Sequence, residues 1–367
     1  MSTYGNTAPS QNTVNYDSLL STTLFNYRKT LADNIFKSSG FLTLLRQKGG
    51  VEYQSGGIAI AQPLMYETNS TVKSYSKYDT LDTTPQDGMT TAFYNWCEVA
   101  GTIAIARLEE RQNSGEAAIL KLLEKKTVQA EMSIKQKINE MLIQGTVSSS
   151  STFVPGTDAK DLYPLGYFLR TLKATDPVKG GNVGNIAGAT YSWWRHRVAD
   201  LGGNSTTNAD VNVSVTTRAA LKMYLYRLWN FCSRGGDGSG PDIILADQVT
   251  YETYEMALDA SKQFYDVNLA DLGFDNIRLK GGVCVWDELV PDVYTGTAAL
   301  TCGSAFMINS KFYKLVIDSE TDFITTPFIE PENQTAKVAK ILFMGNATVS
   351  NLRKHGVAIA ISQSIAS

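Results

Sequence analysis

Apolar positions recur three or four apart through Leu120, Leu123, Thr127, Ala130, Ile134, Ile138 and Met141, and they predict one long amphipathic helix. Asn113 with Glu116 has the form of a capping box at its start, and Gly145 suits the C-terminal cap. Lys121, Glu124, Lys125, Gln129, Glu131, Lys135 and Lys137 take the other faces, with Glu131 four before Lys135 in the favourable order for an intrahelical pair. At about 1.5 Å per residue, a helix over 114–145 is about 48 Å long. A rod greasy on one side only is a spine laid against a sheet, which points to a scaffold rather than a catalyst.

Ahead of the spine the pattern changes twice. The first 15 or so residues are polar, and Asp17 is the one charge before Arg28, so this segment reads as an arm that orders when clasped. Leu19, Leu20, Leu24, Leu31, Ile35 and Phe36 predict a short amphipathic helix, and Phe41 to Leu45 a second apolar patch before Gly49-Gly50. Val51, Tyr53 and then Ile58 to Met65 predict a strand interrupted by Gly56-Gly57, and Thr90 to Arg107 a longer returning strand. Between them lie Lys73, Lys77, Asp79, Asp82, Asp87 and Gly88. So thin an apolar content cannot make a domain; it predicts a protruding two-stranded flap that needs a neighbour to lie on.

After the spine, Ser148 to Ser151 and the stretch Gly180 to Gly188 mark a boundary or surface insertion. Thr216 or Thr217 then caps a helix with Leu221, Leu225, Leu228 and Cys232 inward. Asp242 to Ala246 reads as a short buried strand, and Asp247 as the cap of a helix from Val249 to Lys262. Strands are predicted at Ile277–Lys280, Val283–Trp286, Ala305–Ile308, Lys311–Asp318, Phe323–Glu330 and Lys337–Val349. Strands and helices do not alternate regularly, so the class is α+β.

Composition narrows the chemistry. The 367 residues allow two globular parts, 43% hydrophobic content supplies cores, and a net charge of −3 gives no global pull toward DNA or anionic lipid. No apolar run approaches the length of about 18 residues needed to cross a membrane, and no signal peptide is recognisable, so cytoplasmic synthesis is expected. Cys97, Cys232, Cys284 and Cys302 are too widely spaced for a zinc site and read as reduced thiols. The two histidines, His196 and His355, lack a nucleophile-elbow serine or cysteine partner. The glycines of Gly235 to Gly240 precede a strand instead of opening a helix, unlike a phosphate loop. Glu109-Glu110, Asp287-Glu288 and Glu330 with Glu332 read as charged loop tips. Trp193, Trp194, Arg195 and Arg197 could stack on nucleic acid, but a packed Trp pair with flanking Arg salt bridges is the favoured reading. No catalytic, cofactor-binding or metal-ligating residue is predicted.

Several strings carry a family resemblance. Gly184-Asn185-Ile186 is followed by Tyr191-Ser192-Trp193-Trp194-Arg195, and Pro241-Asp242-Ile243-Ile244-Leu245 by Tyr251-Glu252-Thr253-Tyr254-Glu255. Leu272-Gly273-Phe274 leads to Leu279-Lys280-Gly281-Gly282-Val283 and Trp286-Asp287, then to Ala305-Phe306-Met307-Ile308-Asn309-Ser310-Lys311. In this order, over residues 15–360, the chain resembles the tailed-bacteriophage major capsid proteins of the Hong Kong 97 type.

The resemblance implies an N-terminal arm at 1–48, an extended β-hairpin loop at 49–93, and a peripheral domain at 94–185 with its spine helix at 114–145. It further implies an axial domain at 186–310, a second peripheral part at 311–350, and a C-terminal return to the axial domain at 351–367. Lys73, Lys77, Asp79, Asp82, Glu330 and Glu332 then become candidate intersubunit contacts. Some relatives cross-link a flap lysine to a neighbour's asparagine with help from a glutamate; no motif in this sequence identifies those two partners. The implied protein is a non-enzymatic tile that forms hexamers and pentamers in a virion shell assembled in the host cytoplasm. Its implied partners are itself, a scaffolding protein, a portal, a decoration protein and non-specifically contacted packaged DNA, with no cofactor and no membrane. The rival readings are an encapsulin-like nanocompartment shell, a soluble hydrolase, and a tail or adhesin protein.

Overall fold

The computed structural model describes residues 40–112, 122–144, 160–169, 182–188, 190–203, 209–235, 237–258, 276–290, 302–332 and 335–362. The arm with its predicted helix at Leu19 to Phe36, the caps Asn113, Glu116 and Gly145, and the Ser148 to Ser151 run lie outside these residues.

In chain order the elements begin with α1 (Gly40–Gln47), β1 (Val51–Gln54), β2 (Ile60–Met65), β3 (Met89–Tyr94), β4 (Cys97–Ala106), α2 (Arg107–Gln112) and α3 (Leu122–Ile143). They continue with α4 (Leu165–Phe168), β5 (Asn182–Val183), β6 (Ile186–Ala187), β7 (Arg197–Asp200), β8 (Val211–Asn212), α5 (Arg218–Ser233), β9 (Ile243–Ala246) and α6 (Gln248–Met256). The last are β10 (Asn276–Leu279), β11 (Gly282–Trp286), β12 (Cys302–Ile308), β13 (Tyr313–Asp318), β14 (Ile324–Thr325), β15 (Ala336–Val349) and β16 (Gly356–Ser362).

Two mixed sheets organise the molecule. The first is built on β15, which pairs antiparallel with β4 on one side and with β13 and β14 on the other; β1 adds parallel to β13. The second runs β10-β11-β9-β12-β16-β7-β8. Its strands alternate faces in the way a period of two requires. Ile243, Leu245, Val283, Val285, Phe306 and Ile308 point into a core shared with the first sheet. Ile244, Ala246, Cys284, Ala305 and Met307 pack beneath α5 and α6. At the edge of this pattern Ala360 adopts φ 59 and the β12–β16 register shifts between Gly303 and Ala305. The bulge puts Ile361 on the same face as Ala358.

The spine lies on the β4–β15 ribbon. Ile134, Ile138, Met141, Leu142 and Ile143 are buried, whereas Thr127 and Ala130 nearer the start are half-buried. The described part, 22 residues, is about 33 Å long. Gly101 of β4 makes the close approach possible, since a Cβ there would sit 2.6 Å from Ile134 Cδ1. Lys135 reaches over the Phe323 ring at 5.9 Å instead of pairing with Glu131; the helix carries a Lys137–Glu140 ion pair at 3.7 Å.

Three expectations change. Thr90 to Arg107 is not one strand: β3 and β4 belong to different sheets, broken at Asn95-Trp96, and Arg107 already opens α2. The break is held by Asn346, whose amide donates to the Asn95 carbonyl at 2.7 Å. Val51–Gln54, expected as flap, is instead an edge strand paired with β13, so the flap proper starts at β2. Phe323–Glu330 shrinks to β14 and an Ile329–Val338 bridge, because Pro327 lacks the N–H a continuous ladder needs. The caps Thr217 and Asp247 form as expected, accepting from the N–H groups of Ala220 (3.3 Å) and Thr250 (3.0 Å).

The graded burial of α3 has a measurable consequence. Ile138→Ala should destabilise the protein by about 3 kcal/mol in chemical denaturation, whereas Val128→Ala, at a site 44% exposed, should change stability by less than about 0.5 kcal/mol.

Candidate functional site

The flap is a hairpin with a buried root and an open tip. β2 and β3 pair from Ile60↔Tyr94 to Met65↔Met89, and the Tyr66 N–H extends the ladder to the Gly88 carbonyl at 3.0 Å. Ile60, Leu64, Ala92 and Tyr94 are buried at the root. Tyr94 donates its hydroxyl to the Val349 carbonyl at 2.8 Å, and burial pushes its pKa upward. The short β5–β6 hairpin braces β3: the Phe93 N–H donates to the Gly184 carbonyl at 3.2 Å. Gly184 sits at φ 59, and a Cβ there would lie 2.8 Å from the Ala92 Cβ, so both conformation and space call for glycine. Tyr66 stacks on Trp193 with ring centroids 5.2 Å apart.

Past Tyr66 the chain has no core of its own. Its polar groups are satisfied locally, which keeps the loop ordered without burial. Lys73 donates to the Thr80 carbonyl at 2.7 Å, and the Asp79 carboxylate accepts the Ser76 N–H at 2.9 Å. Asp82 accepts the Thr84 N–H at 3.0 Å and its hydroxyl, and these bonds, the hydroxyl's first, hold the carboxyl below the usual range. The Lys77 carbonyl accepts from the Tyr75 hydroxyl at 3.4 Å while its side chain is exposed. Apolar side chains stand out beside these charges: Val72 is 81% exposed, Tyr78 97% and Leu81 60%. A patch of this kind, charged and aromatic and exposed, has the composition of a protein-contact surface.

Lys73, Lys77, Asp79 and Asp82 thus share the flap tip. Glu330 and Glu332 do not join them; both are exposed in the turn leading into β15, at the end of the β4–β15 ribbon away from the flap root. That separation is nine ladder steps, about 30 Å.

Asn346, not singled out by sequence reasoning, ties root to ribbon. Fully buried, it donates to Asn95 and to Cys97 Sγ (3.3 Å), and its Oδ1 accepts from the N–H groups of Tyr163 (2.9 Å) and Ala347 (2.8 Å). The available signal was an amide inside the apolar run Ile341 to Val349.

Groups that could do chemistry are built into the structure instead. Cys97, Cys232 and Cys284 are buried free thiols; burial pushes Cys97 up to about 11, Cys284 to about 12, and Cys232 upward as well. Trp194 is buried and donates to the Val183 carbonyl at 3.0 Å, Arg195 donates to Gly188, and Arg197 pairs with Asp210 at 3.3 Å, which is the packed arrangement. Glu109 pairs with Lys126 at 2.8 Å. Among the described residues no cluster of three or more His, Cys, Asp or Glu could hold a metal ion. Among them, too, no helix is long and apolar enough to cross a membrane.

No family model and no curated protein matches this sequence. Solved structures match across nearly the whole chain. The capsid asymmetric unit of cyanophage A-1(L) superposes with a TM-score of 0.62 at 15% identity, covering 91% of this chain and 95% of that one. The chain has the fold of a phage capsid protein. The capsid of a native GTA particle matches with a TM-score of 0.55 at 12% identity over 93% and 96% of the two chains. The SrpI encapsulin of Synechococcus elongatus PCC 7942 matches with a TM-score of 0.51 at 8% identity, over 96% of each. At these identities the likeness is one of fold.

Both histidines are buried at the seam where β7 and β16 begin, and the Arg197 N–H donates to the His355 carbonyl at 3.0 Å. His355 accepts the Asn309 N–H on Nδ1 at 3.2 Å; burial, and then His196 nearby, lower its pKa from 6.5 to about 3. The folded state therefore favours neutral imidazole, and its contribution is intact above pH 6.5 and is lost as pH falls from there toward 3. Urea midpoints measured from pH 7 to 4 should decline, and His355→Gln should flatten that decline.

Proposed function

We propose that this protein is the major capsid protein of a tailed bacteriophage, with a Hong Kong 97-type fold, and that it self-assembles through hexamers and pentamers into a shell around double-stranded DNA. The observation that carries this reading is the superposition on the cyanophage capsid protein, which leaves little of either chain unmatched. The exposed, apolar-and-charged flap tip supports it, because a lone protein gains nothing from such a projection.

In this reading β2, β3 and the tip are the extended loop that lies on a neighbouring subunit. The first sheet with α3 is the peripheral domain, and the second sheet with α5 and α6 is the axial domain. Complementary, non-identical patches close head to tail into rings of five or six. Each subunit makes many modest contacts, and after the first the rest are nearly intramolecular. Lys73, Lys77, Asp79, Asp82, Glu330 and Glu332 are the proposed intersubunit contacts. The shell would act with a scaffolding protein, a portal and a decoration protein, and would be assembled in the host cytoplasm; it would perform no catalysis.

Electron microscopy of the protein expressed alone, and with the products of neighbouring open reading frames, tests this directly. Closed shells that take up DNA are expected. A monodisperse monomer under every condition refutes it, and shells filled with a cargo enzyme would assign the protein to the encapsulin-like alternative.

Because the tip is satisfied by its own hydrogen bonds, changing it should separate folding from assembly. Lys77→Glu combined with Tyr78→Ser should leave the melting temperature within about 2 °C of wild type while sharply reducing the shell fraction in sedimentation. Normal shell yield from the double variant would remove the tip from the contact.

A further inference from the structure

The chain carries 36 acidic residues, yet none falls within 211–236. That stretch holds α5, with Arg218, Lys222 and Arg227, and Arg234 just after it. Tertiary structure turns part of it into an organised surface. Arg227 and Arg234 both lie over the Phe231 ring, 5.8 and 4.4 Å from its centroid. From the β10–β11 turn, Lys280 reaches over Trp229 and Tyr226, 5.1 and 5.4 Å from their centroids, and donates to the Asn230 side chain. Lys280 itself sits at φ 53, a conformation the two-residue turn with Gly281 imposes, which fixes where its side chain starts.

Arg227, Arg234 and Lys280 are exposed and are held by π faces and an amide; among the described residues no carboxylate pairs with them. Their positive charge is thus pre-positioned without being cancelled. Asp237, the first carboxylate after α5 in the sequence, is occupied by Lys311 and by Lys354 at 3.5 Å. In a protein of net charge −3 this is a local reversal of sign.

We propose that Arg227, Arg234 and Lys280 form a contact for the phosphate backbone of double-stranded DNA that does not read base sequence. The proposal rests on the shell reading, since an enclosed duplex is what such a face would meet. Cations held in fixed positions bind a regularly spaced polyanion and release its counterions, and no base-reading element is needed. The competing occupant is the acidic face of α6 on another copy, where Glu252 and Glu255 are exposed.

Fluorescence anisotropy with two 30-base-pair duplexes of unrelated sequence, across a salt series, tests the proposal on the full chain. Wild type should bind both equally. Arg227→Ala/Arg234→Ala/Lys280→Ala should bind at least about tenfold more weakly at low salt and lower the log–log salt slope by about 3. Arg227→Lys/Arg234→Lys should stay near wild type, and Arg234→Gln alone, beyond the helix end, should give about a third of the slope change without touching α5. Unchanged affinity and slope in the triple variant overturn the proposal. Lost shells with unchanged duplex binding overturn it too, and assign the face to α6 of a neighbour. A wild type that binds duplex through these residues but never forms shells would leave this contact standing while the shell reading fails.

Discussion

Everything in the molecule is registered against one strand. β15 is fourteen residues long and has neighbours on both sides, ten paired positions with β4 on one edge and seven with β13 and β14 on the other. Ala339, Ile341 and Phe343 alternate inward along it, so a slip of one residue would turn that whole set to solvent. Asn346 forbids the slip chemically, because its buried amide has partners only in this register, and an orphaned buried amide costs about 1–3 kcal/mol. The spine lies on β4, the flap emerges from the strand before β4, and the chain passes from the end of β15 into β16 of the second sheet.

A continuous aromatic seam makes the two sheets one body. Phe41 meets Tyr313, Tyr313 meets Phe168 and His355, and Phe168 meets Tyr94 at the flap root, with centroids 5.8–6.3 Å apart. The polar parts of this seam are kept neutral by burial: a histidine that resists protonation and tyrosines that resist ionisation. A stiff body of this kind can transmit a contact made at one end to the other, while the flap tip, without a core, adjusts to its neighbour.

Charge is used differently in three places. At the flap tip it is tied into local turns, at the seam it is suppressed, and around α5 it is propped on aromatic faces. The first and third leave charge available to a partner; the second does not.

Local order was legible in the sequence wherever one periodicity governed a segment. The inward set Leu221, Leu225, Leu228 and Cys232, the caps Thr217 and Asp247, and the buried Ile243–Ala246 strand follow from spacing and capping chemistry alone. The charged flap tip was legible too, since a stretch with so little apolar content has nowhere to hide. What the sequence could not show is partnership between distant segments. Val51–Gln54 has the same alternation whether it joins a flap or a sheet, and only Leu315 to Asp318 beside it decides. Thr90 to Arg107 reads as unbroken β, and the break needs Asn346, some 250 residues on, to hold the Asn95 carbonyl. The α5 cations group with Lys280 only because a turn folds back over Trp229. Periodicity is a property of neighbouring residues along the chain; register, seams and charge clusters are properties of segments that meet only once the core has closed.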